Sequence, residues 1–297
     1  MDVLNFISWL KSKRQVTTVD ASQTLIPLGL KDPRRDDGYI PGAISVADLA
    51  GALVPPMLSG GNTAYGENTL ENNIAFDNSA FGYNALTNNT SGGNNTAIGS
   101  STLVENIDGI NNIAIGKEAL TSNIGGSQNI AIGTATLYSN QSSGNIAIGY
   151  LALQNNTTGF NNSAFGYVAM FSNTTGYRNL AFGGGSLYEN TIGSRNTIFG
   201  ENGAYNNQTG DYNVGIGYNS LSNNTTGNYN VCIGSLTSSN NYSNCVILGT
   251  NASATANNQF VVGSNDWNAG TVVTAAQSQT KYWEVVINGV TQRILLA

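Results

Sequence analysis

Between about residue 61 and residue 266 the chain repeats one unit, N-x-A-I-G-x-x-A-L-x-x-N-T-T-G-x-x. Its glycine anchors are Gly66, Gly82, Gly99, Gly116, Gly133, Gly149, Gly166, Gly183, Gly200, Gly217, Gly234, Gly249 and Gly263. Successive anchors lie 17 residues apart eight times and 16 twice, then 15 and 14. Such a period means one small structural unit per repeat, stacked on its neighbours. A helical unit would place apolar residues at three- and four-residue spacing. Each unit here has instead a short β-like pentad, a second apolar pair and turns rich in Asn, Thr and Gly. The expected fold is all-β, a parallel β-solenoid with about 17 residues per coil. At about 4.8 Å per coil, thirteen anchors imply a rod on the order of 60 Å.

Within a pentad the side chains alternate, so Thr96 and Ile98 share one face while Ala97 and Gly99 share the other. Both faces are apolar. The Ala and Gly face admits only small side chains, which implies close approach of backbone or of another chain. The other carries Ile, Phe or Tyr, as at Phe81, Ile98, Phe165 and Phe199, and asks for a roomy core. A short coil has one interior, so the second apolar face calls for a neighbouring subunit. Which face is internal stays open at this level.

Asparagine marks two further columns. One precedes the anchor by four positions (Asn95, Asn112, Asn129) and one follows it by seven (Asn106, Asn123, Asn140). Stacked coils would turn each column into a ladder of amides. Asn also suits the turns at coil corners, and the Thr-Gly that follows is expected to supply positive φ. The N-x-[ST] triplets at Asn89 and Asn156 are explained by the repeat and are read as structural rather than glycosylated. Rows of Thr for ice binding are interrupted by Ile107, Ile124, Gln141 and Gln208.

Composition narrows the chemistry. No His is present and only 9% of residues are charged, which excludes imidazole acid/base chemistry, His-dependent nucleophiles and imidazole zinc sites. A net charge of −6 argues against nucleic acid. No apolar run reaches membrane-spanning length, and the start MDVLNFISWLKSKR reverses the order of a signal peptide. Two cysteines, Cys232 and Cys245, fit a protein folded in a reducing cytoplasm. Free buried thiols are expected; Cys245 falls one coil beyond Cys232, so a bridge stays open.

All five prolines lie in the first 56 residues, with six of the eleven basic residues. The chain therefore reads as an N-terminal region 1–58, a repeat domain 59–266 and a C-terminal segment 267–297. That last segment contains KYWEVVINGVTQRILLA, a hairpin pattern with Trp283, Val285 and Ile287 alternating before an Asn288-Gly289 turn.

The N-[TS]-A-[IF]-G pentads followed by x-x-A-L resemble the left-handed parallel β-roll of trimeric autotransporter adhesin heads and the related repeats of bacteriophage tail fibres. The resemblance covers about two thirds of the chain and implies a homotrimer of side-by-side rolls. The 17-residue period is longer than the usual adhesin coil, implying a larger outward loop at each N-T-T-G turn. An autotransporter would carry an export signal and a membrane barrel, which these flanks do not suggest. The C-terminal hairpin pattern is similar to closing segments of phage fibres, and LGLKDPRRDDGYIPGAISVADLAG resembles N-terminal segments of phage structural proteins. The expectation is a virion fibre that contacts the host surface, with a decoration or spacer protein on capsid or tail as the alternative and a glycan-cleaving tailspike behind it. Lys31, Asp32, Arg34, Arg35, Asp36 and Asp37 are then the candidate virion-docking residues.

No enzyme site is expected. Carboxylate pairs such as Glu71 with Asp77, or Glu105 with Asp108, recur at no catalytic spacing, and about one carboxylate per coil falls short of a calcium site. No cofactor is expected either. Aromatics are the better candidates. Tyr83, Tyr150, Tyr167 and Tyr218 follow the anchor directly, while Phe160, Tyr177, Tyr212 and Tyr229 sit in turns where they would stack on a host glycan. Covering loop backbone or sealing a subunit interface is the competing role for these rings.

Overall fold

A computed structural model describes residues 60–263 fully and, outside them, the backbone of five strands. The chain divides into two compact units, Met1–Tyr65 and Gly66–Ala297. In the first, β1 (Leu25–Pro27) pairs antiparallel with β2 (Ala43–Ser45), and β3 (Met57–Leu58) with β4 (Asn62–Tyr65).

The second unit contains the coils. Its strands are β5 (Ser79–Phe81), β6 (Thr96–Ile98), β7 (Ile113–Ile115), β8 (Ile130–Ile132), β9 (Ile146–Ile148), β10 (Ser163–Phe165), β11 (Leu180–Phe182), β12 (Thr197–Phe199), β13 (Val214–Ile216), β14 (Val231–Ile233), β15 (Val246–Leu248) and β16 (Phe260–Val262). Each pairs parallel with the next, and the repeat keeps strict register: Ala97 aligns with Ala114 and Ala114 with Ala131. This is a parallel β-solenoid of about twelve turns. Near the end of the chain β17 (Tyr282–Ile287) and β18 (Val290–Leu295) pair antiparallel, with Ile287 opposite Val290.

The inward face is the small one. Ala80, Ala97, Ala114, Ala131, Ala147, Ala164 and Ala181 are fully buried. The Ile and Phe column does not fill a roomy core; it points outward, with Ile98 40% and Phe182 52% exposed. The reason is space. The coil interior is already filled by the alanines, by the Leu of each A-L pair and by buried Asn side chains.

Those leucines reach the core by an uncommon backbone. Leu86, Leu103, Leu120, Leu137 and Leu153 have φ between 52 and 53° and are fully buried. The left-handed conformation costs about 1–2 kcal/mol per residue, which burial of a Leu side chain, about 1.5–3 kcal/mol, offsets.

Glycine serves two separate needs. Gly99 has φ of 137°, and a Cβ there would lie 2.6 Å from Gly116 O of the next coil. The N-T-T-G glycines do not supply positive φ. At Gly109 the constraint is room: an added Cβ would lie 2.5 Å from Gly126 O and 3.0 Å from Asn123 Nδ2. Positive φ falls two residues later, at Asn94, Asn111 and Asn161, where Asn tolerates it.

The Asn columns form two different ladders. In the column after the anchor, Asn106 Nδ2 donates to Asn89 Oδ1 at 2.6 Å and Asn123 Nδ2 to Asn106 Oδ1 at 2.9 Å, amide to amide along the stack. In the column before the anchor the side chain bonds mainly to backbone, with amide-to-amide bonds added at Asn179, Asn196 and Asn230. Asn112 N–H donates to Asn95 Oδ1 at 2.9 Å, and Asn112 Nδ2 donates to Gly126 O at 2.9 Å. Asn123 Nδ2 donates to the same Gly126 carbonyl at 2.8 Å, so the two ladders meet there on one acceptor. Buried amides need this complete pairing, since an unpaired one costs about 1–3 kcal/mol.

Candidate interaction surfaces

Two surfaces stand out from the Asn, Ser and Thr background. The first is the outer face of the parallel sheet. Phe81, Ile98, Phe182, Phe199, Ile216 and Ile233 are 38–52% exposed. Their flanking positions, among them Ile113, Leu180 and Val214, widen the column. The rings of Phe165, Phe182 and Phe199 follow one another at 5.6 and 5.8 Å. Strict register carries this apolar strip along twelve strands, a surface that soluble monomers rarely leave uncovered.

The second lies at the corner before the strands. Phe160 and Tyr177 stand six residues before their anchors, whereas Tyr212 and Tyr229 stand five before theirs. They form two stacked pairs, each with centroids 4.9 Å apart. Arg195 joins the pairs: its guanidinium carbon lies 5.2 Å from the Tyr177 centroid and 4.9 Å from that of Tyr212. Arg195 Nη1 also donates to the Tyr212 hydroxyl. Arg178 lies 5.9 Å from the Tyr177 centroid. The four sequence candidates thus share one ridge, but their ring faces are occupied by one another and by Arg195. The outer faces of the end rings, Phe160 and Tyr229, are left for a stacking sugar.

Tyr150 and Tyr167 also stack, at 5.5 Å, while Tyr83 and Tyr218 are half exposed. Sequence reading passed over a third column, Phe171, Tyr188 and Tyr205, stacked at 5.3 and 4.9 Å. Its signal was an aromatic five residues after three successive anchors. The Tyr205 hydroxyl pKa is raised, first by desolvation, then by Tyr188 and Glu189.

Among the described residues no group of three His, Cys, Asp or Glu side chains could hold a metal ion. Lys117 Nζ pairs with Glu118 Oε1 at 3.1 Å. Cys232 and Cys245 are both free and buried. Burial pushes the Cys232 thiol up to about 12; nearby Cys245 adds to the rise and a hydrogen bond with Thr237 opposes it. Lys31, Asp32, Arg34, Arg35, Asp36 and Asp37 lie outside the described residues. No protein-family model matches the chain, and no curated protein matches it.

Proposed function

We propose that this chain is one subunit of a homotrimeric virion fibre of a tailed bacteriophage, projecting from the particle and contacting the host cell surface. In this reading the coils wind left-handed, residues 1–58 attach to other virion proteins and residues 267–297 form a β cap. The protein is made in the host cytoplasm, needs no cofactor, inserts in no membrane and catalyses no reaction.

The observation that carries the reading is the outward apolar strip of β5–β16. A solenoid sufficient to itself would place polar residues there, as it does on its Asn- and Thr-rich corners. Three copies packed strip to strip would cover it and leave the corners as the outer surface, where many weak contacts add up.

Light scattering of the full chain tests the assembly, with an expected mass of three times 31.0 kDa. Ile98→Glu with Phe182→Glu is expected to reduce the mass to that of one chain while leaving the far-UV circular dichroism unchanged. A monomeric wild type overturns the reading. Labelled-particle electron microscopy and binding of the purified protein to host cells test location and role. The mutual covering of the corner rings favours the second reading, a decoration or spacer protein that binds particles and no cells.

A further inference from the structure

We infer that Arg178 and Arg195, with the hydroxyls of Tyr177, Tyr212 and Tyr229, form a binding site for an oxyanion, carboxylate or phosphate, carried on an acidic polysaccharide. The inference rests on the host-contacting reading above and names the class of ligand.

Three cations fall within residues 60–263, and two of them are at this ridge, in a chain of net charge −6. The third, Lys117, is held by Glu118. Among the described residues neither arginine has a carboxylate within ion-pair distance. The acidic neighbour, Asp211, accepts the Ser194 N–H at 2.7 Å and so is tied to backbone.

Two rings flank Arg195: its guanidinium carbon lies 5.2 Å from the Tyr177 centroid and 4.9 Å from that of Tyr212, and the side chain is half-buried. Its guanidinium carries the N–H fork that pairs bidentately with carboxylate or phosphate. One N–H is used on the Tyr212 hydroxyl, which fixes the rotation. Arg178 stands one coil away, about 4.8 Å along the stack, close enough for a second contact to the same polymer.

The residue type at this corner changes along the stack. At the corner position five residues before the anchor φ is positive, and other coils carry Asn94, Asn111, Gln128, Gly144, Asn161 or Asn244 there. Four consecutive coils place Arg178, Arg195, Tyr212 and Tyr229 at φ of 55–59° instead. Asn and Gly suit this conformation and bulky residues do not. Buried Leu103 and Leu120 share it and gain from burial, whereas Arg195 is half-buried and Arg178, Tyr212 and Tyr229 are exposed, as Gln128 and Leu236 are at the same sign of φ.

The test is calorimetric titration of the full chain with oligogalacturonate, a phosphomannan oligosaccharide and neutral dextran, at low and high salt. Oligogalacturonate, phosphomannan or both are expected to bind, more weakly as salt rises, and dextran not at all. Which acidic polymer binds identifies the oxyanion. R178Q/R195Q is expected to lose on the order of 10-fold in affinity while K117Q loses none. Should R178Q/R195Q not fold, R178K/R195K keeps the charge, loses the fork and is expected to bind several-fold more weakly.

Equal dextran binding, no binding to either acidic polymer, or unchanged affinity in the arginine variants overturns the site. If wild type also attaches to no host cells, the host-contacting reading fails with it. Cell attachment that persists in R178Q/R195Q sinks this site alone.

Discussion

Ile198 and Gly215 divide one volume between neighbouring coils. Ile198 occupies the inward column that Ala fills in most strands, Gly215 aligns with it in register, and a Cβ on Gly215 would lie 3.0 Å from Ile198 Cδ1. Gly203 and Ala204 give way as well: Ala204 replaces the usual Leu, and a Cβ on Gly203 would lie 2.5 Å from Ile198 Cγ2. The core keeps its volume while its residues change, the kind of exchange that packing tolerates.

Ile198→Ala should therefore cost about 2–4 kcal/mol through the cavity it leaves. Gly215→Ala should cost about 1–3 kcal/mol by overpacking. Together they should cost less than the sum, with a coupling of about 1–3 kcal/mol in urea denaturation at fixed protein concentration. Strict additivity would show that the two residues do not share a space.

Ser220 is the neighbour that this arrangement leaves without a partner. Its buried Oγ has no hydrogen bond, whereas Thr102 and Thr136 at the same coil position donate to Gly116 O at 3.0 Å and Gly149 O at 2.8 Å. Ser220→Ala should be neutral or stabilise by up to about 1 kcal/mol, because it removes a desolvated hydroxyl and matches the alanines at Ala85, Ala119 and Ala152. Thr136→Ala should destabilise by about 1 kcal/mol. Thermal melts of the pair check the order, and a large loss in Ser220→Ala contradicts it.

The coil, its strand and its register were legible because each anchor glycine repeats with Ala, Leu and Asn at fixed offsets. The inward face was not, since Ala97 and Ile98 are both apolar and sequence does not separate a side chain facing the core from one facing outward. Variation within a column held the clue. From Ala64 to Ala181 the inward column is Ala in eight successive coils, while the outward one passes among Tyr, Phe and Ile over the same coils, as a surface outside the coil permits. The left-handed Leu103 was illegible for a different reason: local preference reserves that conformation for Gly and Asn, and tertiary burial overrode it. At the corner, Phe160 and Tyr212 could be singled out as aromatics, but the role of Arg195 between Tyr177 and Tyr212 depends on stacking coils 17 residues apart.

The amide ladder should be sensitive within its buried run. Asn123 donates to Asn106 Oδ1 at 2.9 Å and Gly126 O at 2.8 Å, and accepts from Asn140 Nδ2 at 3.2 Å. Asn123→Ala removes all three and should cost about 2–5 kcal/mol. Asn123→Asp should cost at least as much at neutral pH, because a buried carboxylate loses both donations and brings a charge. Asn72→Ala, which removes one exposed bond to Thr87 O, should change stability by less than about 0.5 kcal/mol. Equal effects at positions 72 and 123 would mean that the ladder contributes little.

Cys232 gives the clearest dependence on pH. Cys232 takes an Ala position, and burial, reinforced by Cys245, pushes its thiol from an ordinary 9.0 up to about 12. The folded state therefore holds this proton after the unfolded chain has released it. Where the unfolded state binds fewer protons, stability falls as pH rises. The Cys232 contribution is thus flat below about 9 and is lost between about 9 and about 12. Cys232→Ala should flatten stability across that window while keeping the fold, because Ala fills the equivalent position in eight other coils. At pH 8 the native protein should leave an aromatic disulfide reagent unconsumed for hours, and the unfolded chain should consume two equivalents. Cys245 stands in the Asn column: its N–H donates to Asn230 Oδ1 at 3.0 Å and its Sγ lies 3.3 Å from Ala256 O, the carbonyl that a ladder amide would take. Cys245→Asn should therefore extend the ladder by one rung and fold within about 1 kcal/mol of wild type. Rapid thiol labelling of the native protein, or unfolding of Cys245→Asn, would show that the last coils do not close over this pair.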